Sequence, residues 1–269
     1  MTDGEPTYAL AIREVLAEAG ARPSASDGPG AKNSYAVRFA DLMGSRIAAD
    51  LARRLGGISA TTKRTAGSVR GSKQLDVNFS TPQLGLALGI SLKSVHTRDA
   101  KSKRYTHNMK RNEEELRIEA SGYHKRQPYA VMIAVLFLPF DSCDDGRKDN
   151  PSSFGSWVRH LRPYAGRTAP ENDIDRFEKI YIGLYEPDGS DIRFFDTEAD
   201  PPRQRRPTTD GALRGADDRL RRLISYGEFL DAVYHQYLRR NLAEFTWADG
   251  EEDPLAPNEI HDTEDEDEA

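Results

Sequence analysis

The stretch from Leu75 to Val95 reads LDVNFSTPQLGLALGISLKSV and contains two alternating runs separated by a proline. In the second run, leucine or isoleucine occupies every second position from 84 to 92, and small or polar residues fill the positions between them. Alternation with a period of two is typical of a β-strand with one buried face. Pro82 fixes its own φ angle and cannot donate to a ladder, which marks the turn. The stretch therefore predicts a β-hairpin.

The face of the hairpin opposite the leucines carries three chemically useful side chains. Asp76 lies on the first strand, and Ser91 and Lys93 lie on the second. The small residues of the same face are Gly85, Ala87 and Gly89. We expect these small residues to leave room above the face for the backbone of a ligand.

The register of the hairpin decides whether Asp76 reaches the other two residues. Tight antiparallel pairing about the turn would place Asp76 opposite Leu88, which is short of Ser91. A bend or bulge would close this gap, and we predict it near Gly89.

Hydrophobic spacing predicts helices and strands around the hairpin. Helices are expected at residues 8–19, 34–55, 108–126, 154–161 and 220–245. Further strands are expected at residues 179–186 and 192–196, and a basic loop at residues 61–73. The continuous apolar run at residues 129–140 predicts a central strand buried on both faces. This order predicts an α/β fold with a mixed central β-sheet flanked by helices on both faces.

The 269-residue chain divides into four segments in our interpretation. They are an N-terminal helix and linker (1–33), a core (34–198), an Arg/Pro-rich linker with a C-terminal helix (199–248) and a disordered acidic tail (249–269). Cys143 is the only cysteine, which excludes a disulfide framework and a cysteine-based zinc cluster. The sequence has no recognisable export signal or membrane-spanning stretch, so we expect a cytoplasmic protein without membrane attachment.

The charge of the chain is unevenly distributed. The formal net charge is -6, but residues 249–269 contain eleven acidic residues and neither Lys nor Arg. Without this tail, 38 basic residues stand against 33 acidic ones (44 less eleven), so the body of the protein is mildly basic. The tail is either a solubilising end or a phosphate mimic that shields the basic body until DNA displaces it.

Asp76 and Lys93 suit the hydrolysis of a phosphodiester. Magnesium prefers one or two carboxylates together with water and phosphate oxygens, so Asp76 could bind this ion. Lys93 could orient or deprotonate the attacking water and offset the negative charge that develops. Ser91 cannot replace a charged ligand and would at best hold a water molecule or a phosphate oxygen.

The arrangement of Asp76 and Ser91-Leu92-Lys93 on a hairpin, preceded by a helix and followed by a helix and a strand, resembles the PD-(D/E)XK nuclease superfamily. Type II restriction endonucleases are its best-known members. Leu75 stands where that pattern has proline, and Ser91 stands where it has Asp or Glu. The resemblance implies a restriction-endonuclease-like core, dependence on Mg²⁺ with Mn²⁺ as a substitute, and catalytic roles for Asp76, Ser91 and Lys93.

Some restriction enzymes of this superfamily also have a non-acidic residue at the position of Ser91 and recruit a carboxylate from the following helix. In this chain the polar stripe of that helix consists of Asn108, Asn112, Glu115 and Glu119. Glu119 is our preferred compensating metal ligand and Glu115 the second choice, while Asp41 and Asp50 on the earlier helix are weaker candidates. Alternatively, the two glutamates belong to a solvated face and pair with basic residues of their own helix.

Two basic loops flank the hairpin. The candidate DNA-binding residues are Lys63, Arg64, Arg70 and Lys73 before it, and Arg98, Lys101, Lys103, Arg104 and Asn108 after it. We expect them to contact DNA phosphates, which provides affinity without sequence readout. The alternative is that they are ordinary solvated loops.

The leading prediction is a magnesium-dependent endonuclease of double-stranded DNA, either a restriction enzyme or the nuclease subunit of a bacterial defence system. We expect a homodimer or a subunit of a larger defence complex, with the linker around Arg203 and the terminal helix as docking elements. Two alternatives remain open. The first is a catalytically inactive, nuclease-like DNA-binding or assembly subunit, and the second is a hydrolase with Ser91 as nucleophile and Lys93 as base.

Overall fold

The computed structural model describes residues 7–54, 65–68, 71–81, 85–146, 150–199 and 223–240. The α-helices are α1 (Thr7–Ala19), α2 (Pro29–Arg54), α3 (Met109–His124), α4 (Ser153–Leu161) and α5 (Tyr226–Arg240). The strands are β1 (Thr65–Ser68), β2 (Gly71–Gln74), β3 (Val77–Thr81), β4 (Gly85–Ser94), β5 (Val131–Pro139), β6 (Lys179–Tyr185) and β7 (Ile192–Asp196). Strands β1 and β2 pair as a small antiparallel sheet, where the sequence predicts a loop.

Five strands form one mixed sheet in the order β3-β4-β5-β6-β7. Strands β4, β5 and β6 are parallel, and each edge strand pairs antiparallel with its neighbour. Parallel neighbours require a crossover connection, which α3 provides between β4 and β5 and α4 provides between β5 and β6. Every residue of β5 is buried, which confirms the predicted central strand.

Alternate residues of β5 face two separate cores. Val131, Ile133, Val135 and Phe137 pack with α1, α2 and α5 on one face of the sheet. Met132, Ala134, Leu136 and Leu138 pack with α3 and α4 on the other face. The structure therefore confirms an α/β fold in which a mixed sheet has helices on both faces.

A β-bulge interrupts the hairpin at Ala87. Phe79 pairs with Leu88, whereas the next residue of β3 pairs with Leu86, so Ala87 is the extra residue of β4. The bulge changes the face of the sheet to which the side chains of β4 point. Leu86, before the bulge, lies in the α3–α4 core, whereas Leu88, after it, lies in the α2 core. The predicted irregularity exists and lies at Ala87, two residues before Gly89.

The bulge sets the position of Asp76. Val77 pairs with Ile90, so Asp76, which directly precedes β3, is brought level with Ser91. Asp76 therefore reaches the Ser91-Leu92-Lys93 segment, which pairing without the bulge would have prevented.

The glycines of the hairpin do not open a cleft. A Cβ atom at Gly89 would lie 2.7 Å from Cδ1 of Leu75 and 2.8 Å from Sδ of Met132. At Gly85 the same space is filled by the side chain of Gln127, which also accepts a hydrogen bond from the N–H of Leu86 at 2.8 Å. The expectation that these positions leave room for a ligand backbone was wrong, because neighbouring side chains occupy the space.

A buried ion cluster lies at the opposite end of the parallel strands, where β5 and β6 begin. The Oε1 atom of Glu178 accepts hydrogen bonds from Arg167 at 2.8 Å and from Arg240 of α5 at 2.7 Å. Its Oε2 atom accepts from the N–H of Met132 at 2.7 Å and lies 3.4 Å from Nε2 of His124. The cluster therefore ties α3, β5, β6 and α5 together.

Two helices differ in length from the predictions. Helix α2 begins at Pro29, so the predicted segment boundary at residue 33 falls inside it, and α5 is shorter than the predicted range 220–245. Helix α1 shares the α2 core through Ile12 and Val15. The acidic tail and most of the Arg/Pro-rich linker lie outside the described residues. Within the described ranges, no helix combines the length and the apolar character that crossing a bilayer requires.

Candidate active site

Asp76 lies at the carboxyl end of the parallel strands, in a bend directly before β3. Its Oδ2 atom accepts a hydrogen bond of 2.6 Å from the N–H of Leu92 in β4. Open α/β sheets bind their ligands at the carboxyl ends of parallel strands. The position of Asp76 is therefore one at which this kind of fold commonly carries out chemistry.

Helix α2 packs closely against the backbone of Asp76. A Cβ atom at Gly44 would lie 2.9 Å from the carbonyl oxygen and 3.5 Å from Cβ of Asp76. A side chain at position 44 would therefore have to displace either the helix or the bend that carries the acid.

Replacing Gly44 with alanine is expected to destabilise the protein by about 1–3 kcal/mol, because the added methyl group overpacks a backbone contact. Urea unfolding measures this loss. Gly30→Ala is the matched control, since Gly30 lies in the same helix with nothing within 4 Å of an added Cβ. Equal effects of the two substitutions would contradict the close contact at Gly44.

Two further carboxylates act electrostatically on Asp76. Glu119 of α3 is buried, with 8% of its surface exposed, and Asp41 lies on α2. Burial raises the pKa of Asp76 most, and the charges of Glu119 and Asp41 also raise it, while the Leu92 N–H and Lys93 lower it. The net result is a pKa of about 6. A partly buried carboxylate surrounded by others favours the binding of a cation.

Lys93 lies beside Glu115 rather than in open solvent. Its Nζ atom is 3.4 Å from Oε2 of Glu115, and Oε1 of the same carboxylate accepts a hydrogen bond from Arg111 at 2.8 Å. Burial tends to raise the pKa of Glu115, but Arg111 and Lys93 outweigh it and lower the pKa. Glu115 is therefore ionised at neutral pH, pairs with a basic residue of its own helix and also reaches the hairpin lysine.

Ser91 is buried, with 1% of its surface exposed, and lies next to Ala134 of β5. Among the described residues its hydroxyl oxygen has no hydrogen-bond partner. Ser91 lies on the same strand as Lys93, two residues before it, and its hydroxyl is closed off from solvent.

Tyr123 also belongs to the site, although it is not among the candidate residues chosen from the sequence. Burial raises the pKa of Tyr123, and the charges of Glu119 and Asp76 raise it further. Tyr123 lies four residues after Glu119, on the same side of α3, which is the signal that could have identified it from the sequence.

Asp50, the other candidate acid of α2, has a structural role. It is buried and accepts hydrogen bonds from Arg46 at 2.9 Å, from Arg53 at 3.0 Å and from the hydroxyl of Tyr226 at 3.0 Å. These contacts join α2 to the start of α5 and occupy the carboxylate of Asp50.

The candidate DNA-binding residues have different surroundings. Lys63, Arg64 and Arg70, together with the side chain of Lys73, lie outside the described residues. Arg98 donates to Asp141 at 2.8 Å, and Arg104 donates to the carbonyl oxygen of Pro151 and to Ser156. The exposed members of the second group are Lys101, Lys103 and Asn108. Arg98 and Arg104 therefore have structural contacts within the protein, whereas Lys101 and Lys103 expose their positive charges to solvent.

The donor set fits a hard cation held by few protein ligands. Asp76 and Glu119 offer two carboxylates, which matches the preference of Mg²⁺ for one or two carboxylates plus water. Within the described parts of the chain there is no group of three or more His, Cys, Asp and Glu residues arranged to hold a metal ion. The remaining positions of such a cation would therefore be filled by water or by the substrate.

Comparison with known proteins identifies no relative. No protein-family model, no curated protein and no solved structure matches this chain.

Proposed function

We propose that this protein is a metal-dependent endonuclease that hydrolyses phosphodiester bonds in double-stranded DNA. It would act as a restriction enzyme or as the nuclease subunit of a bacterial defence system. The observation that carries this proposal is the convergence of Asp76, Lys93 and Glu119 at the carboxyl end of β4. The order of helix, hairpin, helix and parallel strand supports a restriction-endonuclease-like core.

Each residue has a role that follows from its contacts. Bound Mg²⁺ would supply charge neutralisation and an activated water. Asp76 would hold the ion, with its carboxylate fixed by the Leu92 N–H, and Glu119 would supply the second carboxylate in place of an acid at position 91. Lys93 would orient the water and offset negative charge on the phosphate. Glu115 would hold the ammonium group of Lys93 in place.

We further propose that the protein works in the cytoplasm as a homodimer or as part of a larger defence complex. Type II restriction enzymes commonly form two-fold dimers because their palindromic sites share that symmetry. Helix α5, with the linker before it, is the proposed docking element.

Incubation with plasmid DNA tests the nuclease directly. We expect nicking or linearisation with Mg²⁺ or Mn²⁺ and complete loss of cleavage in EDTA. Lys93→Met should reduce the rate at least about 100-fold, because the positioned ammonium group is lost. Lys110→Met is the control, since Lys110 is an exposed lysine of α3 that pairs only loosely with Glu114 at 3.8 Å. Full activity in EDTA would overturn the proposal.

The burial of Ser91 favours one alternative, a DNA-binding or assembly subunit without catalytic activity. β4 offers no second acid at position 91, and Lys93 is paired with Glu115. Tight binding of duplex DNA without cleavage in any divalent metal would support this alternative. A Ser91–Lys93 hydrolase is the weakest candidate, because the Ser91 hydroxyl has no hydrogen-bond partner among the described residues and is therefore not bonded to the amine that would activate it.

A further inference from the structure

A second polar cluster lies at the carboxyl end of the sheet and joins Tyr35 and Tyr185 of the α2 core to Tyr105 of the α3–α4 core. His96 follows β4 and Tyr185 ends β6, while Tyr105 and Arg22 reach the cluster from loops. We call Arg22, Tyr35, His96, Tyr105 and Tyr185 the edge cluster. Nδ1 of His96 lies 2.6 Å from the hydroxyl oxygen of Tyr185, and its ring packs edge-on against Tyr35 with 4.8 Å between ring centres.

Arg22 brings a positive charge to the edge cluster that no described carboxylate balances. Its guanidinium donates to the hydroxyl oxygen of Tyr105 at 3.1 Å, and within the described ranges it forms no ion pair. The nearby Asp141 already accepts hydrogen bonds from Arg98 at 2.8 Å and from Tyr105 at 2.9 Å. A guanidinium has five N–H donors, so most of those on the partly buried Arg22 remain available for a ligand.

His96 supplies an independent observation. The residue is 4% exposed, and its Nε2 atom has no hydrogen-bond partner among the described residues. Burial and the charge of Arg22 lower the pKa of His96 to about 3, so the ring is neutral. In one tautomer Nε2–H is an unused donor, and in the other the hydroxyl hydrogen of Tyr185 is unused. The pair therefore has a spare donor in either case.

We propose that the edge cluster binds a phosphate group, with Arg22 as the charged ligand and the His96–Tyr185 pair as a neutral donor. A phosphate group suits these donors, because its several oxygens can accept hydrogen bonds from both a guanidinium group and a neutral donor. Lys93 and His96 are three positions apart in the chain, so their Cα atoms are within about 10 Å. The phosphate could belong to the DNA backbone or be free inorganic phosphate.

The test compares Arg22→Gln with wild type in EDTA, so that it does not depend on cleavage. Inorganic phosphate should raise the melting temperature of wild type more than sodium chloride of equal ionic strength does, and Arg22→Gln should lose this shift. Arg22→Lys, which keeps the charge, should retain part of it. Arg53→Gln is the control, because that arginine is 73% exposed on α2.

Fluorescence anisotropy with a labelled duplex separates the two sources of phosphate. A backbone phosphate predicts about tenfold weaker binding for Arg22→Gln and a salt dependence reduced by about one phosphate contact. A free phosphate predicts the thermal shift alone, with unchanged DNA affinity. If neither ligand distinguishes Arg22→Gln from wild type and from Arg53→Gln, the edge cluster is not a phosphate site.

Discussion

Replacing Asp76 with asparagine is expected to abolish DNA cleavage and, at the same time, to make the folded protein more stable at pH 7. Asparagine has nearly the same shape and can still accept the Leu92 N–H, but it carries no charge. In the wild type the pKa of Asp76 is raised from 3.8 to about 6, first by burial and then by neighbouring carboxylates. The folded state therefore holds this proton more tightly than the unfolded state does.

The sign of the pH dependence follows from this raised pKa. Stability falls as the pH rises from about 4 to about 6, and the full cost of the ionised carboxylate remains at higher pH. One pKa unit corresponds to about 1.4 kcal/mol, so Asp76→Asn should gain roughly 1–3 kcal/mol at pH 7 and little below pH 4. Urea unfolding at both pH values measures this difference.

Metal binding and a surface control complete this test. Magnesium should raise the melting temperature of wild type, because a ligand that binds only the folded state stabilises it, and should have no such effect on Asp76→Asn. Asp173→Asn, at an exposed position, should change stability by less than about 0.5 kcal/mol. An Asp76→Asn protein that still cleaves DNA, or that is less stable at pH 7, would contradict the role assigned to Asp76.

Replacing Glu178 with glutamine is expected to destabilise the protein by about 3–5 kcal/mol, which exceeds the loss expected from overpacking at Gly44. The substitution removes the negative charge of Glu178, which pairs at the amino end of the parallel strands with Arg167 and Arg240. The side chain of Arg167 has no exposed surface, and that of Arg240 is 9% exposed. Both guanidinium groups would remain buried without a counterion among the described residues.

The pKa of Glu178 gives the pH range of this stabilisation. Burial alone would raise the pKa, but His124, the Met132 N–H and Arg167 together lower it below its usual value of 4.5. The stabilisation is therefore fully present above that pH and is lost as the pH falls through the lowered pKa. Wild type should lose stability on acidification more steeply than Glu178→Gln does.

Glu198→Gln makes the same Glu-to-Gln change at a surface ion pair and is the matched control for Glu178→Gln. Glu198 pairs with Lys179 near the surface and is 37% exposed, so its loss should cost less than about 1 kcal/mol. Urea unfolding at pH 7 compares the two variants. Similar losses for Glu178→Gln and Glu198→Gln would show that the buried cluster does not contribute more than a surface pair.

The arrangement of elements was predictable because the sequence patterns are strong. The apolar run that became β5 is too continuous for a strand with one solvated face, and its length matches a central strand. The small sheet of β1 and β2 was missed because its residues, such as Ala66 and Ser72, show no apolar alternation.

The register of the hairpin was only partly predictable. Leucine or isoleucine occupies every second position from residue 84 to 92, so the sequence does not mark the change of face at Ala87. The position of the bulge depends on tertiary contacts, since Leu86 enters the α3–α4 core below Gln127 while Leu88 enters the α2 core. Local alternation shows that a strand forms, but packing on both faces decides where it changes face.

The candidate site shows the same division between local and tertiary information. Asp76, Lys93 and Glu119 could be chosen because strand alternation and helical spacing place them on defined faces. The contact between Gly44 and Asp76 could not be predicted from the sequence, because it depends on how closely α2 approaches the bend that carries Asp76. The same is true of the Glu178 cluster, whose members come from distant parts of the chain.

The bulge at Ala87 also affects how this hairpin can change during evolution. Deleting one residue between Asp76 and Ser91 would shift the acid by about 3.3 Å along its neighbour and turn it to the opposite face of the sheet. A substitution in the same segment changes one side chain and leaves the pairing intact. Lineages that keep the site should therefore conserve the length of this segment more strictly than its composition.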